Sequence, residues 1–197
     1  MAPLFKILAA SMLLFIYSIN PKNVNVHKKY WQIEYSQDFR QPIKIKYDVL
    51  CNSKSKNYYS RKGLEFYTES EIITSTDRDY SNNVWDKGHM VPAADFNCDS
   101  LALRETFSYT NCALQHQDLN RGSWKLLEAY EKELAINNKV TIIIDVIFSK
   151  VTRMPSGTAI PTHFQKTIYL NDKIFKVYKF PNQSVSGNPE KFLIKKY

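Results

Sequence analysis

The segment from Trp85 to Glu128, WDKGHMVPAADFNCDSLALRETFSYTNCALQHQDLNRGSWKLLE, carries a histidine, two asparagines and a glutamate at spacings that could build one reactive site. Asp86-Lys87-Gly88-His89 reads as a turn in which Gly88 lets the backbone bend sharply and presents His89 at a strand end. Pro92, in Pro92-Ala93-Ala94-Asp95, stiffens the loop that follows. A histidine titrates near neutral pH, so His89 is suited to taking a proton from water. Further on, a helix expected from Asn120–Ser123 to about Ile136 places Asn120, Trp124 and Glu128 at i, i+4 and i+8, so that Asn120 and Glu128 point the same way. Two oxygen-bearing side chains stacked on a helix suit a hard cation such as Mg²⁺, which prefers oxygen and keeps several waters.

The string DKGHMVPAADF, followed by Thr110-Asn111, then LNRGSW and Leu126-Leu127-Glu128, resembles the DNA/RNA non-specific endonuclease family, the ββα-metal nucleases. The agreement in order and spacing covers some forty residues and is specific. The resemblance implies an α+β fold with a central antiparallel sheet, flanking helices and a ββα-metal (His-Me finger) element. It also implies a metal-dependent, sugar-non-specific endonuclease that leaves 5′-phosphates on DNA and RNA. By the same resemblance His89 is the general base, and Mg²⁺, with Mn²⁺ as the alternative, sits on Asn120 with Glu128 reaching it through water. Arg61, with Phe66 five residues on, matches the arginine that contacts the scissile phosphate; Arg78 ranks second because two aspartates flank it. Asn111 is counted with the catalytic set in an orienting role. Lys87, where the family most often has arginine, and Arg121 are expected to contact substrate. Asp86 is expected to brace the turn or orient a side chain by hydrogen bonding rather than to bind metal.

Three cysteines, Cys51, Cys98 and Cys112, fit no zinc spacing; Cys98 with Cys112 is the more local pair should a bridge form, and Cys112 reads equally as a small buried hydrophobe. The formal charge of +8 favours an anionic partner. There is no P-loop motif, which excludes a nucleotide-hydrolysing engine of that type. His116 and His163 read as packing or surface residues.

The elements that must hold the site follow from periodicity. Tyr30–Tyr35 and the alternating Ile43, Ile45, Tyr47 and Val49 predict a hairpin. Residues 52 to 60 read as a polar surface connection, 100 to 106 as a short helix, and 107 to 110 as a strand or extended segment delivering Asn111. The β-branched run from Lys139 to Phe148 predicts a central strand buried on both faces, with two further strands near 165–169 and 173–180. Residues 1–20 are expected to be a secretory signal peptide, with anchoring in a membrane by residues 4–19 as the competing reading and a mitochondrial location as the third. Residues 21–197 form the nuclease domain on this reading. Relatives continue into a helical segment after the last strand, whereas this chain stops at Tyr197. A homodimer stays open, as does an alternative function: an inactive nucleic-acid-binding or extracellular interaction protein on the same fold.

Overall fold

The computed structural model describes residues 22–197, so the expected leader lies outside the described residues. The described residues begin with β1 (Asn23–His27), β2 (Trp31–Ser36) and β3 (Gln41–Asp48), then β4 (Trp85–His89), α1 (Ser100–Glu105) and β5 (Cys112–His116). It continues through α2 (Gln117–Leu119), α3 (Lys125–Leu134), β6 (Val140–Ile147), β7 (Thr152–Arg153) and β8 (Ala159–Ile160), and closes with β9 (His163–Leu170), β10 (Lys173–Pro181) and β11 (Leu193–Lys196). Seven of the strands form one sheet in the order β1-β2-β3-β6-β9-β10-β11, every neighbouring pair antiparallel. The β-branched run takes the middle of the sheet as expected, but it is not buried on both faces. Ile142, Ile144 and Val146 enter the core, whereas Ile143, Asp145 and Ile147 are only half-buried on the other face, where Asp145 pairs with Lys44. The hairpin and the two later strands are also found.

Period-two alternation turns Ile33, Tyr35, Ile45 and Tyr47 to one face, where they meet Ile142, Ile144, Phe164, Ile168 and Phe180 in the core. The helical layer supplies Leu119, Trp124 and Leu127 to the same core. Trp124 meets Phe164 and Phe180 edge-on, with ring centroids 5.6 and 5.7 Å away. Phe96 packs on Trp31 at 4.9 Å and so ties the segment after β4 to the sheet. Among the described residues no helix is long and apolar enough to cross a membrane.

β4 and β5 form a separate two-stranded ribbon, and its docking on the sheet relies on side-chain amides. Buried Gln41 accepts the N–H of Leu114 at 2.9 Å. Buried Asn182 accepts the N–H of His116 at 2.8 Å and donates to the carbonyls of Leu114 and Pro161, both at 2.9 Å.

Three local expectations are corrected. Asp86-Lys87-Gly88-His89 is not a turn but the body of β4, paired with β5 in the register Gly88↔Ala113 and His89↔Cys112. Glycine is needed at 88 for space: a Cβ there would lie 2.5 Å from both Cβ and Oε1 of Gln115. The segment ahead of Asn111 is not a strand, since Tyr109–Asn111 is a 3₁₀ turn capped by Ser108, whose Oγ accepts the N–H of Thr110. The bridge joins Cys51 to Cys98, with Cα atoms 5.8 Å apart, and Cys112 is free and buried. Sequence proximity misleads here because Cys112 sits inside the ribbon opposite His89, whereas the N–H of Cys51 bonds the carbonyl of Asp95, three residues before Cys98.

Candidate active site

The ribbon and the helix after it open onto a cleft of about 650 Å³ that Arg61, Lys87, His89, Asn120, Arg121 and Glu128 all line. Every side chain named for catalysis, metal or substrate therefore lines this one cleft except Asn111. That residue is buried beneath the loop, where its Oδ1 accepts the N–H of Val91 at 2.8 Å and its amide donates to the carbonyls of Val91 and Thr106. Its own carbonyl takes the N–H of Met90. Asn111 therefore clamps the two residues that follow His89 and touches nothing in the cleft, which corrects its place in the catalytic set to that of a positioning residue.

His89 ends β4 with its ring between Phe66 and Phe107, both at 5.1 Å. The backbone carbonyl of Lys87 hydrogen-bonds the ring, while Nε2 has no hydrogen-bond partner. The bonded nitrogen is thus Nδ1, which leaves Nε2 as the bare acceptor. Burial, helped by the nearby Arg61 cation, lowers the His89 pKa to about 4, so the ring is neutral at physiological pH.

Arg61 starts a tight turn closed by the N–H of Leu64 on its carbonyl at 3.1 Å, and Gly63 takes the left-handed backbone (φ +83°) that the third position of such a turn requires. Leu64 and Phe66 then pack on Ala93, Leu103 and Phe107, a small apolar cluster that sets Arg61 beside His89. Arg78 is not among the cleft residues.

Asn120 and Glu128 both reach the cleft, as predicted, but by a different route. The helix starts earlier, at Gln117, and Asn120–Trp124 is a π turn in which Gly122 leaves helical geometry. Trp124 consequently points into the core while its supposed face-mates line the cleft. Asp86 performs the orienting role foreseen for it. Its Oδ2 accepts from Nδ2 of Asn120 at 2.9 Å, and its two oxygens accept from Arg121 at 2.8 and 2.6 Å. Burial alone would raise the Asp86 pKa; the bonds from Arg121 and Asn120 outweigh it and hold the carboxylate below its usual range. Because a carboxylate accepts only, the Asn120 amide must turn its nitrogen to Asp86, which leaves the carbonyl oxygen free to accept or coordinate.

Two substrate contacts are qualified by these bonds. The Arg121 fork is filled by Asp86, and the Lys87 ammonium is held by Asp77 above the Phe66 ring, at 4.9 Å from its centroid. Both cations add positive charge to the cleft, but each is first a brace. Asp77 and the cleft-lining Lys125 carry no motif signal and were not foreseen.

Behind Glu128 the interior is charged. Glu131 is fully buried and accepts from Lys166 Nζ at 3.2 Å, and that ammonium lies 4.0 Å from the centre of the Trp124 ring. Asp95 is buried with neither oxygen hydrogen-bonded, and burial keeps its pKa well above the carboxylate range. Burial likewise raises Glu128 to about 7, with Lys166 opposing and Glu131 adding to the effect. Among the described residues no three His, Cys, Asp or Glu side chains group to hold a metal. A fixed amide oxygen with one carboxyl nearby does fit a hydrated Mg²⁺, which needs few protein ligands, and does not fit zinc.

The model of the DNA/RNA non-specific endonuclease family matches residues 11–194. The mitochondrial nuclease EXOG of Danio rerio is 27% identical over 152 residues, which cover 69% of this chain and 44% of that protein. The mitochondrial nuclease of Saccharomyces cerevisiae is 29% identical over 182 residues, covering 78% and 55%, and bovine mitochondrial endonuclease G is 26% identical over 127 residues, covering 56% and 42%. The chain thus spans about half the length of these relatives. A solved structure of an EndoG/EndoGI complex superposes with a TM-score of 0.75 over 87% of this chain and 80% of that one, at 24% identity, which speaks for the fold. With His89 and Asn120 lining one cleft, a ββα element carrying them, and a family match over nearly the whole length, the chain belongs to the DNA/RNA non-specific endonuclease family.

Proposed function

We propose that the chain is a metal-dependent endonuclease that hydrolyses phosphodiester bonds in DNA and RNA and leaves 5′-phosphates. The observation that carries this reading is the shared cleft: an unpartnered His89 Nε2 and an Asn120 carbonyl turned outward by Asp86 border the same space. His89, neutral at pH 7, takes a proton from the water that attacks phosphorus, and the Lys87 carbonyl steadies the resulting imidazolium through Nδ1. Arg61 presents a planar fork to the phosphate oxygens. Asn120 would hold Mg²⁺ directly and Glu128 through water, and the bound ion would offset charge on the phosphate and the departing 3′-oxygen. These groups address phosphate rather than sugar or base, so discrimination between DNA and RNA is expected to be weak.

The test is digestion of supercoiled plasmid and of a long RNA by wild type and by His89→Ala. Mg²⁺-dependent cleavage of both, abolished by EDTA and by the substitution, is expected. Salt-sensitive binding of both substrates without cleavage would instead establish the inactive nucleic-acid-binding alternative. The relatives' names place them in mitochondria, and the Cys51–Cys98 bridge requires an oxidising compartment, so we assign the chain to such a compartment, whether secreted or organellar.

A further inference from the structure

The loop from Cys51 to Leu64 contains no acidic residue and carries Lys54, Lys56, Arg61 and Lys62 with two adjacent tyrosines. Tyr58 and Tyr59 are 51% and 46% exposed, large aromatic surfaces left to solvent on a segment with no regular structure. They are nonetheless fixed. The Tyr58 hydroxyl donates to the carbonyl of Asn52 at 2.6 Å, the Tyr59 N–H donates to the carbonyl of Asn97 at 2.7 Å, and the disulfide pins the start of the loop. Lys132 of α3 stands against the Tyr58 ring, 5.7 Å from its centroid, and donates to the carbonyl of Ala94 at 2.8 Å. Ala94 is itself part of the cleft wall, so the Tyr58–Lys132 pair borders the rim. Lys132 also follows the cleft residues Lys125 and Glu128 along α3, one helical turn or about 6 Å beyond Glu128. Past it, Lys54 reaches Asn137 at the end of that helix.

We propose that Tyr58 and Lys132 form a subsite for a nucleotide flanking the scissile phosphate, the base stacking on the exposed Tyr58 ring and its phosphate meeting Lys132. The inference rests on the nuclease reading and adds to it a direction for the bound strand, from Arg61 across the loop toward the end of α3. A ring already immobilised by its own hydroxyl loses little entropy on stacking, and every base offers a π-face, so the subsite is tolerant of sequence. An unstacked base is needed, which makes single-stranded or frayed nucleic acid the favoured occupant.

The experiment compares a 20-nucleotide single-stranded DNA with a dinucleotide too short to span cleft and loop, in Mg²⁺, for wild type, Tyr58→Leu, Tyr58→Phe and Lys132→Gln. Tyr58→Leu should raise KM for the 20-mer by about 5- to 100-fold with kcat unchanged, the range of one lost stacking contact. Dinucleotide cleavage should not change, and Tyr58→Phe, which keeps the ring but loses its bond to the Asn52 carbonyl, should recover most of the KM lost in Tyr58→Leu. Lys132→Gln should raise KM on the 20-mer and flatten its salt dependence. A KM within twofold of wild type on the 20-mer, or a parallel loss on both substrates, overturns the subsite. If wild type cleaves neither substrate, the nuclease reading has failed instead. Fluorescence anisotropy of the 20-mer on His89→Ala in EDTA then decides the subsite by itself, since Tyr58→Leu must still weaken binding there.

Discussion

Replacing Asp86 by alanine tests whether the proposed metal seat at Asn120 depends on a residue that orients it by hydrogen bonding. In the folded chain Asp86 accepts one hydrogen bond from the Asn120 amide and two from Arg121. A bond to a charged acceptor contributes about 1.5–3 kcal/mol net, and here that bias keeps the Asn120 carbonyl facing the cleft. Without Asp86 the amide is free to turn over, and the released Arg121 guanidinium draws its oxygen away. A loss of that size corresponds to about 10- to 100-fold weaker Mg²⁺ binding, the usual cost of removing a group that orients a ligand. The assay is the Mg²⁺ concentration at half-maximal plasmid cleavage, with calorimetric Mg²⁺ binding to the His89→Ala background as a readout free of turnover. Arg121→Ala is the control: it removes an ion pair whose guanidinium stands in solvent and keeps the Asp86–Asn120 bond, so it should shift half-saturation by less than about threefold. If Asp86→Ala moves half-saturation by less than threefold while folding normally, or if Arg121→Ala has the same effect as Asp86→Ala, the orienting argument is wrong.

Four further outcomes follow from the geometry. His89→Ala should lower kcat by about 10²–10⁴-fold, and the acid limb that His89 contributes to kcat/KM in wild type should fall near pH 4 rather than 6.5. Glu128 is raised to about 7 in the fold, so in the metal-free protein its contribution to stability is fully present below about pH 4.5 and declines as pH rises toward 7; Mg²⁺ binding near pH 7 should release protons, read by calorimetry in buffers of different ionisation enthalpy. Gly88→Ala should force β4 off β5 at Gln115, costing about 1–3 kcal/mol by thermal denaturation and displacing His89, whereas an unchanged melting temperature would mean the ribbon has slack. Asn182→Ala strands the His116 N–H and the Leu114 and Pro161 carbonyls, and chemical denaturation should register a loss of about 2–4 kcal/mol.

The site was legible because the ββα element is local: β4, β5 and α3 lie consecutively, so His89, Asn120 and Glu128 keep a readable spacing. The central sheet was legible for another reason, since alternation at Ile43–Val49 reports a buried face and the nearly continuous β-branched run reports a central strand, although that run overstates burial on the face that carries Ile143 and Asp145. Contacts between distant residues were not. Asp77 under Lys87, Gln41 and Asn182 on β5, Lys166 against Glu131 and Cys51 with Cys98 each join residues whose separation no period encodes. Gly88 shows the same limit at one position: the residue type was a correct signal, but its cause was a neighbour on the facing strand rather than a bend in its own. Trp124, read most simply as the helix's core anchor, is that anchor, and a π turn ahead of α3 sets it apart from Asn120 and Glu128, which line the cleft.

The way β5 meets the large sheet has a wider consequence. Its outward N–H and C=O groups at Leu114 and His116 end on the amides of Gln41 and Asn182 instead of on another strand. Continuous pleating would transmit the twist of seven strands into the hairpin that bears the histidine; two amide clips impose only a position and leave its tilt to be set locally. The chemistry-bearing unit is therefore joined to the scaffold by two amides and by the core packing of Met90, Ala113 and Phe96 rather than by strand pairing, so a substitution in the sheet reaches the geometry around His89 through those contacts and not through a shared pleat.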